Sequence, residues 1–251
     1  MSLGSLNLFF SFYFSKKIML NEIALIFFYV IILLYSVILH EVAHGVMAFY
    51  LGDLTAKYAG RLSANPLRHI DPMMTIFMPL ALLVLSGGRF AFGGAKPVPY
   101  NPYNLRDQKR GPIWVALAGP GSNIVIAFLG AFLGKMIAVP LSVKVSIINS
   151  FKMADWQGLS VLISNSFGSI FFAILVMIVF WNVILAFFNL IPIPPLDGSK
   201  LFFFVFPISP QTLASMEQFG LAFLIFFLLF FSDVLGAFLN FFLDLFLRLA
   251  F

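Results

Sequence analysis

From about Asn21 to Leu39 the chain carries one charged side chain, Glu22, and that run excludes most of what a polypeptide can fold into. As a helix it rises about 28 Å, close to the roughly 30 Å hydrocarbon core of a bilayer. The helical pattern continues to about Leu51, where Gly52 and Asp53 mark a stop. Runs 113–139 and 167–190 have the same character, and the tail from about Leu201 to Phe251 is apolar with breaks at Pro207, Pro210 and Asp233. Inside lipid every backbone N–H and C=O must be paired within the protein, so only helices and closed barrels span it. Runs of this length read as helices. Composition agrees: 10% of residues are charged and the mean hydropathy is +1.02, against about a quarter charged in a soluble domain. The 34 Phe residues read as lipid-facing bulk.

The segments between these runs shape the rest of the expectation. Residues 55–72 are polar and turn-rich. Residues 73–87 are apolar but rise only about 22 Å as a helix, too little to cross a bilayer upright. A re-entrant element is the better reading. It leaves Lys57, Arg61, Arg68, Arg89, Lys96, Arg106, Lys109 and Arg110 on one side, which the positive-inside preference makes cytoplasmic. Residues 90–112 have two adjacent glycines and then alternating prolines and cannot be helix, but they can form an extended edge strand. Gly119, Pro120 and Gly121 are expected to break the second long span, and a loop with Lys144, Lys152 and Asp155 to follow it. The fold class is therefore an all-α polytopic membrane protein. It has about five to six transmembrane or re-entrant helices and a short extended or β element between the first two core helices. One integral-membrane domain covers 1–251, with its core at about 21–200 and further C-terminal membrane helices in 201–251.

The net charge of +5 lies in loops, with no basic cluster among exposed aromatics, so nucleic-acid binding is not expected and the lipid bilayer is the natural partner. The absence of cysteine excludes disulfides and thiolate metal ligands.

At the end of the first run stands "VILHEVAHG". A charged side chain at the centre of a spanning helix costs at least about 2.5–3.5 kcal/mol on insertion scales. Three ionisable groups within one turn need a compensating reason, and a metal ion supplies one. His40 and His44 are four apart, so their imidazoles share a helix face and can bridge one ion. Glu41 is about 100° round the helix from His40, suited to act as a base beside the metal rather than to ligate it. A third ligand is required. His69 and Asp71 lie in a polar loop and read as parts of a solvated turn. Asp197 follows "NLIPIPPL", where Pro192, Pro194 and Pro195 forbid helix, and irregular backbone at this depth is tolerated only in protein or beside a wet cavity. Asp197 is thus either a presented ligand or the cap of a following helix.

"HEVAHG" on one membrane helix, "ALAGPGSN" on a later one and "NLIPIPPLDG" at the end of a third together resemble the site-2 protease family of intramembrane zinc metalloproteases. "GRLSANPLRHIDP" and "FGGAKPVPYNP" resemble its small prokaryotic branch without a PDZ domain. The resemblance covers about residues 30 to 200. It implies one Zn2+ per chain held by His40, His44 and Asp197, with Glu41 as catalytic base. It also implies a transmembrane protein as substrate, hydrolysed within or near its membrane segment, and residence in the cell membrane. Asn123 and Asn189 match polar positions near the metal. Each is either an oxyanion donor or a partner for broken-helix backbone. A substrate helix must unwind to be cut, and the segment 92–99 with Gly93 and Gly94 is either the edge that pairs with the opened strand or a rigid surface loop. Two other classes use the same ligands: a metal transporter or sensor, which should show repeats and several sites along a path, and an inactive helix-binding scaffold, which has no need of Glu41.

Overall fold

The computed structural model describes residues 3–85, 87, 93–164, 166–206 and 208–250. Regular structure among them is helical: α1 (Leu3–Tyr50), α2 (Thr55–Tyr58), α3 (Met78–Leu85), α4 (Gly111–Met136), α5 (Leu141–Lys152), α6 (Trp156–Ile163), α7 (Phe167–Asn189), α8 (Gly198–Val205), α9 (Pro210–Phe230) and α10 (Ser232–Arg248). Three of them are long and apolar enough to cross a membrane: α1 from Glu22, α4 and α7. The pair α9–α10, bent by 86° between Phe230 and Ser232, makes a fourth if taken as one span. Phe27, Val30, Phe128, Phe132 and Phe171 on these spans are each more than half exposed. Apolar surface on this scale is matched by lipid, not water.

Backbone contacts divide the chain into two compact units. The first comprises Met1–Leu33, Ala127–Trp181 and Asp244–Phe251. Its core gathers Tyr29, Phe151, Trp156, Phe180 and Trp181, with the Tyr29 and Trp181 rings 4.8 Å apart and Trp181 Nε1 donating to the Tyr29 carbonyl at 3.1 Å. Lys144 is buried there. Its ammonium donates to the carbonyls of Gly134 (2.8 Å), Lys135 (3.2 Å) and Ala250 (3.4 Å), so it caps the last turn of α4. Burial, aided by the charge of Lys135, pushes its pKa below the ordinary lysine range.

The second unit, Leu34–Ile126 and Asn182–Leu243, contains the polar constellation. α1 ends where sequence places the stop, with Gly52 at φ +110°, in the left-handed region that favours glycine. The fully buried Asp53 then ties the chain together. Its carboxylate accepts from Thr55 N (3.1 Å), Thr55 Oγ1 (2.6 Å), Asn101 N (2.7 Å) and Asn104 Nδ2 (3.0 Å). Burial alone would raise its pKa, but these hydrogen bonds together hold it below the usual carboxylate range.

Three expectations need correction. α4 runs unbroken through Pro120, which costs it one backbone hydrogen bond, and the nearby Ser122 hydroxyl donates to the Gly119 carbonyl at 2.7 Å. The stretch with Lys144 and Lys152 is not a loop but α5, and Asp155 caps α6 by accepting from Gly158 N at 2.9 Å. His69 does not lie in a solvated turn: it is buried, and Nε2 donates to the Ser63 carbonyl at 2.7 Å. Asp71 caps the π-helical turn Pro72–Phe77 by accepting from Met73 N and Met74 N. No β-strand occurs among the described residues. Residues 93–100 have no regular structure, yet Gly94 N donates to Met74 O (3.1 Å) and Lys96 N to His69 O (2.7 Å), every second residue, as along one edge of a strand. Pro97 and Pro99 fall on the opposite edge of the segment and carry no N–H. Arg89, Phe92 and Pro207 lie outside the described residues.

Candidate metal centre

α1 carries two different faces one step apart. Glu41 and Gly45 lie on one. Val98 covers it: its N–H donates to Glu41 Oε2 at 3.0 Å, and a Cβ on Gly45 would meet Val98 Cγ1 at 2.7 Å. Glycine at 45 therefore lets the extended segment approach the helix closely enough to hold the carboxylate. His40 and His44 lie on the other face, against α4. A Cβ on Gly119 would stand 2.7 Å from His40 Cε1 and closer still to the His44 ring, so this position has no room for a side chain. Asn123, one turn on, meets His40.

Asp197 reaches the same point from the proline-rich turn after α7. Ile193 and Leu196 anchor that turn by burying against Leu224 of α9, with Phe188 and Phe227 around them. Gly198 packs on the Leu190 carbonyl, where a Cβ would overlap it. Asp197 occupies the residue before α8, but its side chain makes no capping hydrogen bond. It points to the histidines instead. His40 Nε2 and His44 Nε2 are 3.0 Å apart, and Asp197 Oδ2 is 3.1 Å from each. His40 is buried, whereas His44 and Asp197 keep 12% and 13% of their side-chain surface open, so one flank is reachable.

Hydrogen-bond direction decides what these three atoms are. The Ser36 carbonyl can only accept, so the atom of Asn123 facing it (3.3 Å) is Nδ2 and the atom facing His40 Nδ1 (2.6 Å) is Oδ1. His40 Nδ1 therefore carries a proton. The Val115 carbonyl, 2.7 Å from His44 Nδ1, imposes the same state on His44. For two neutral imidazoles both Nε2 atoms are then bare lone pairs, facing each other and a carboxylate oxygen with no donor between them. A cation resolves that conflict. Ligands about 2.0–2.1 Å from a tetrahedral zinc lie about 3.3 Å apart, close to the spacing here, and two imidazoles with one carboxylate is a zinc donor set with a fourth position open. The residues fit Zn2+.

Asn123 is fully buried, and its second donor contact is to Asn182 Oδ1 at 2.7 Å. Its amide is thus engaged in orienting His40. Asn189 Nδ2 donates to the Leu185 carbonyl one turn back at 2.8 Å, inside α7. Gly94 O accepts from Thr75 Oγ1 at 2.8 Å, and a Cβ on Gly93 would overlap Pro79, which fixes Gly93 against the 74–79 stretch. Ser36 and Asn182 complete the network, with Asn182 Nδ2 on Ser36 Oγ at 2.9 Å. Each is an isolated polar residue in an apolar span, a signal that sequence reasoning had available and passed over.

The family model described as Peptidase family M50 matches residues 28–232. The chain is 35% identical over 190 residues to the "Putative zinc metalloprotease YwhC" of Bacillus subtilis (strain 168), covering 75% of this chain and 73% of that protein. It is 28% identical over 193 residues to the "Putative zinc metalloprotease Rip2" of Mycolicibacterium smegmatis, covering 76% of this chain and 62% of that protein. No solved structure matches.

Proposed function

The chain belongs to peptidase family M50 and is a site-2-protease-like intramembrane zinc metalloprotease, and from that premise we propose how its own residues divide the work. His40, His44 and Asp197 hold the zinc. Bound there, Zn2+ supplies Lewis-acid activation of a water and of the scissile carbonyl. Glu41 is the base. With Oε2 held by Val98 N–H, Oε1 is left to take the proton of the attacking water as its oxygen bonds to the carbonyl carbon. The C–N bond then breaks, and Glu41 returns that proton to the leaving nitrogen. Asn123 holds the His40 tautomer, and Asn189 remains the candidate donor to the developing oxyanion.

The substrate is a transmembrane protein, cut within or near its membrane segment. Gly93 and Gly94 begin the extended edge that receives the opened strand. Gly94 and Lys96 use their N–H groups on the inner side, while Ala95, which faces the opposite way in an extended chain, makes no backbone bond among the described residues. The protein resides in the cell membrane as a multi-pass domain spanning 1–251, its loop cations cytoplasmic. Pro72–Val84 enters without crossing. With the three spans, and with α9–α10 counted as one or two, this gives five or six membrane elements.

One observation carries this reading: three lone-pair atoms converge without a proton among them, beside a carboxylate that does not join them. The test is the purified full-length chain in lipid with a membrane-helix substrate, wild type against Glu41→Gln. Cleavage falls by about 10²–10⁴-fold while zinc stays bound. Equal cleavage by both, or none by zinc-loaded wild type, overturns the assignment.

A further inference from the structure

Arg61 is buried, yet it forms no ion pair among the described residues. Its guanidinium is directed instead at main chain. Nη1 donates to the Arg68 carbonyl, and Nη2 donates to the carbonyls of Lys96 (2.6 Å) and Pro97 (3.2 Å). A desolvated guanidinium is costly to place, and three neutral acceptors compensate it less well than a carboxylate would. Such a placement calls for a use.

The Pro97 carbonyl and the Val98 N–H belong to one peptide group. In a trans peptide they point in opposite directions. Arg61 therefore grips one side of the plane whose other side holds Glu41 Oε2 at 3.0 Å. A cation on the carbonyl oxygen polarises the peptide and makes its N–H a stronger donor. The rest of the segment is pinned by Gly94 N on Met74 O and Lys96 N on His69 O, so the peptide cannot turn to follow a displaced carboxylate.

We propose that Arg61 is a positioning residue for peptide hydrolysis: through the Pro97–Val98 peptide it fixes the Glu41 carboxylate, and it sets that carboxylate in register with the edge that receives the substrate. The inference rests on Glu41 being the base. Arg61 touches neither substrate nor metal ligand. It couples the two functional parts of the site, since the main chain that aligns the opened strand also aims the base.

The test uses the full-length chain in lipid with Arg61→Lys, Arg61→Met, Val98→Pro and the Arg61→Met/Val98→Pro pair. Zinc content and kinetics on a transmembrane-helix substrate are measured. Amide hydrogen exchange of the metal-free protein adds a readout independent of turnover. Pro97 and Pro99 carry no N–H, so a fragment over 96–99 reports Val98 with only Lys96 beside it. Arg61→Met keeps its zinc, exchanges faster at Val98 and loses about 10²-fold in kcat, the scale of a misplaced catalytic group. Arg61→Lys, which keeps the charge but not the forked reach, shifts both readouts in the same direction by less. The double variant is no worse than Val98→Pro alone, because both act through one peptide. Unchanged kcat in zinc-loaded Arg61→Met, unchanged exchange at Val98, additive losses, or a kcat that falls only as zinc is lost would each overturn the proposal. If Arg61→Met fails to fold, Arg61→Lys carries the same expectation. Failure of the protease reading looks different: zinc-loaded wild type cleaves no membrane helix, while Val98 exchange still responds to Arg61→Lys.

Discussion

Replacing Asn123 by alanine isolates the hydrogen bond that sets the state of His40. The substitution removes the acceptor 2.6 Å from His40 Nδ1 and the donors to Asn182 Oδ1 (2.7 Å) and the Ser36 carbonyl (3.3 Å). The site is fully buried, so bulk water does not replace them. A buried donor left unpaired costs about 1–3 kcal/mol. The imidazole can escape that cost by turning its proton elsewhere, and every such escape spoils Nε2 as a lone pair aimed at the metal. Loss of an outer hydrogen-bond partner typically weakens metal affinity by about 10–100-fold, or about 1.4–2.7 kcal/mol. Zinc affinity of Asn123→Ala, measured by competition with a chromophoric chelator in detergent, should fall in that range. Asn123→Asp restores the acceptor for His40 while giving up both donors, so it should recover most of the affinity even as thermal stability drops. The reasoning fails if Asn123→Ala binds zinc as tightly as wild type, or if Asn123→Asp binds it more weakly than Asn123→Ala.

Gly119→Ala forces a methyl group into the imidazole pair; overpacking of about 1–3 kcal/mol translates to about a 5- to 150-fold loss of zinc affinity, read in the same competition assay. Lys144→Met leaves the end of α4 without its cap and should lower thermal stability by about 1–3 kcal/mol, as a shift in the unfolding midpoint. Asp53 has its folded-state pKa held down, so its stabilisation is complete above the ordinary aspartate value of about 3.9 and is lost as pH falls through the lower folded-state value. The stability gap between wild type and Asp53→Asn should therefore be full at neutral pH and close in acid, as followed by thermal melts across pH.

Much of the site was legible because lipid makes polar residues conspicuous. His40, Glu41, His44 and Asp197 stand out where each ionisable group demands a partner, and helical spacing alone puts the two imidazoles together. The span limits were legible for the same reason, since α1 stops at Gly52 and α7 at the proline run. What sequence could not give was direction. That Asn123 faces His40 with its oxygen follows from a carbonyl 87 positions away, and no local pattern encodes it. Pro120 misled because its ring breaks isolated helices, whereas α4 runs on through it and forgoes only one backbone hydrogen bond. Lys144 misled because a lone lysine between spans reads as a surface charge, and only tertiary packing supplies the three carbonyls that bury it.

Zinc K-edge absorption on the purified full-length chain, with Asp197→Ala beside wild type, tests the core assignment most directly. The wild type should hold one zinc whose nearest shell fits two imidazole nitrogens and a carboxylate oxygen at about 2.0–2.2 Å. The variant should bind far less zinc, and any zinc it keeps should show the imidazole scattering without the carboxylate. A wild-type zinc without two imidazoles around it, or an Asp197→Ala spectrum that matches wild type, would contradict the account.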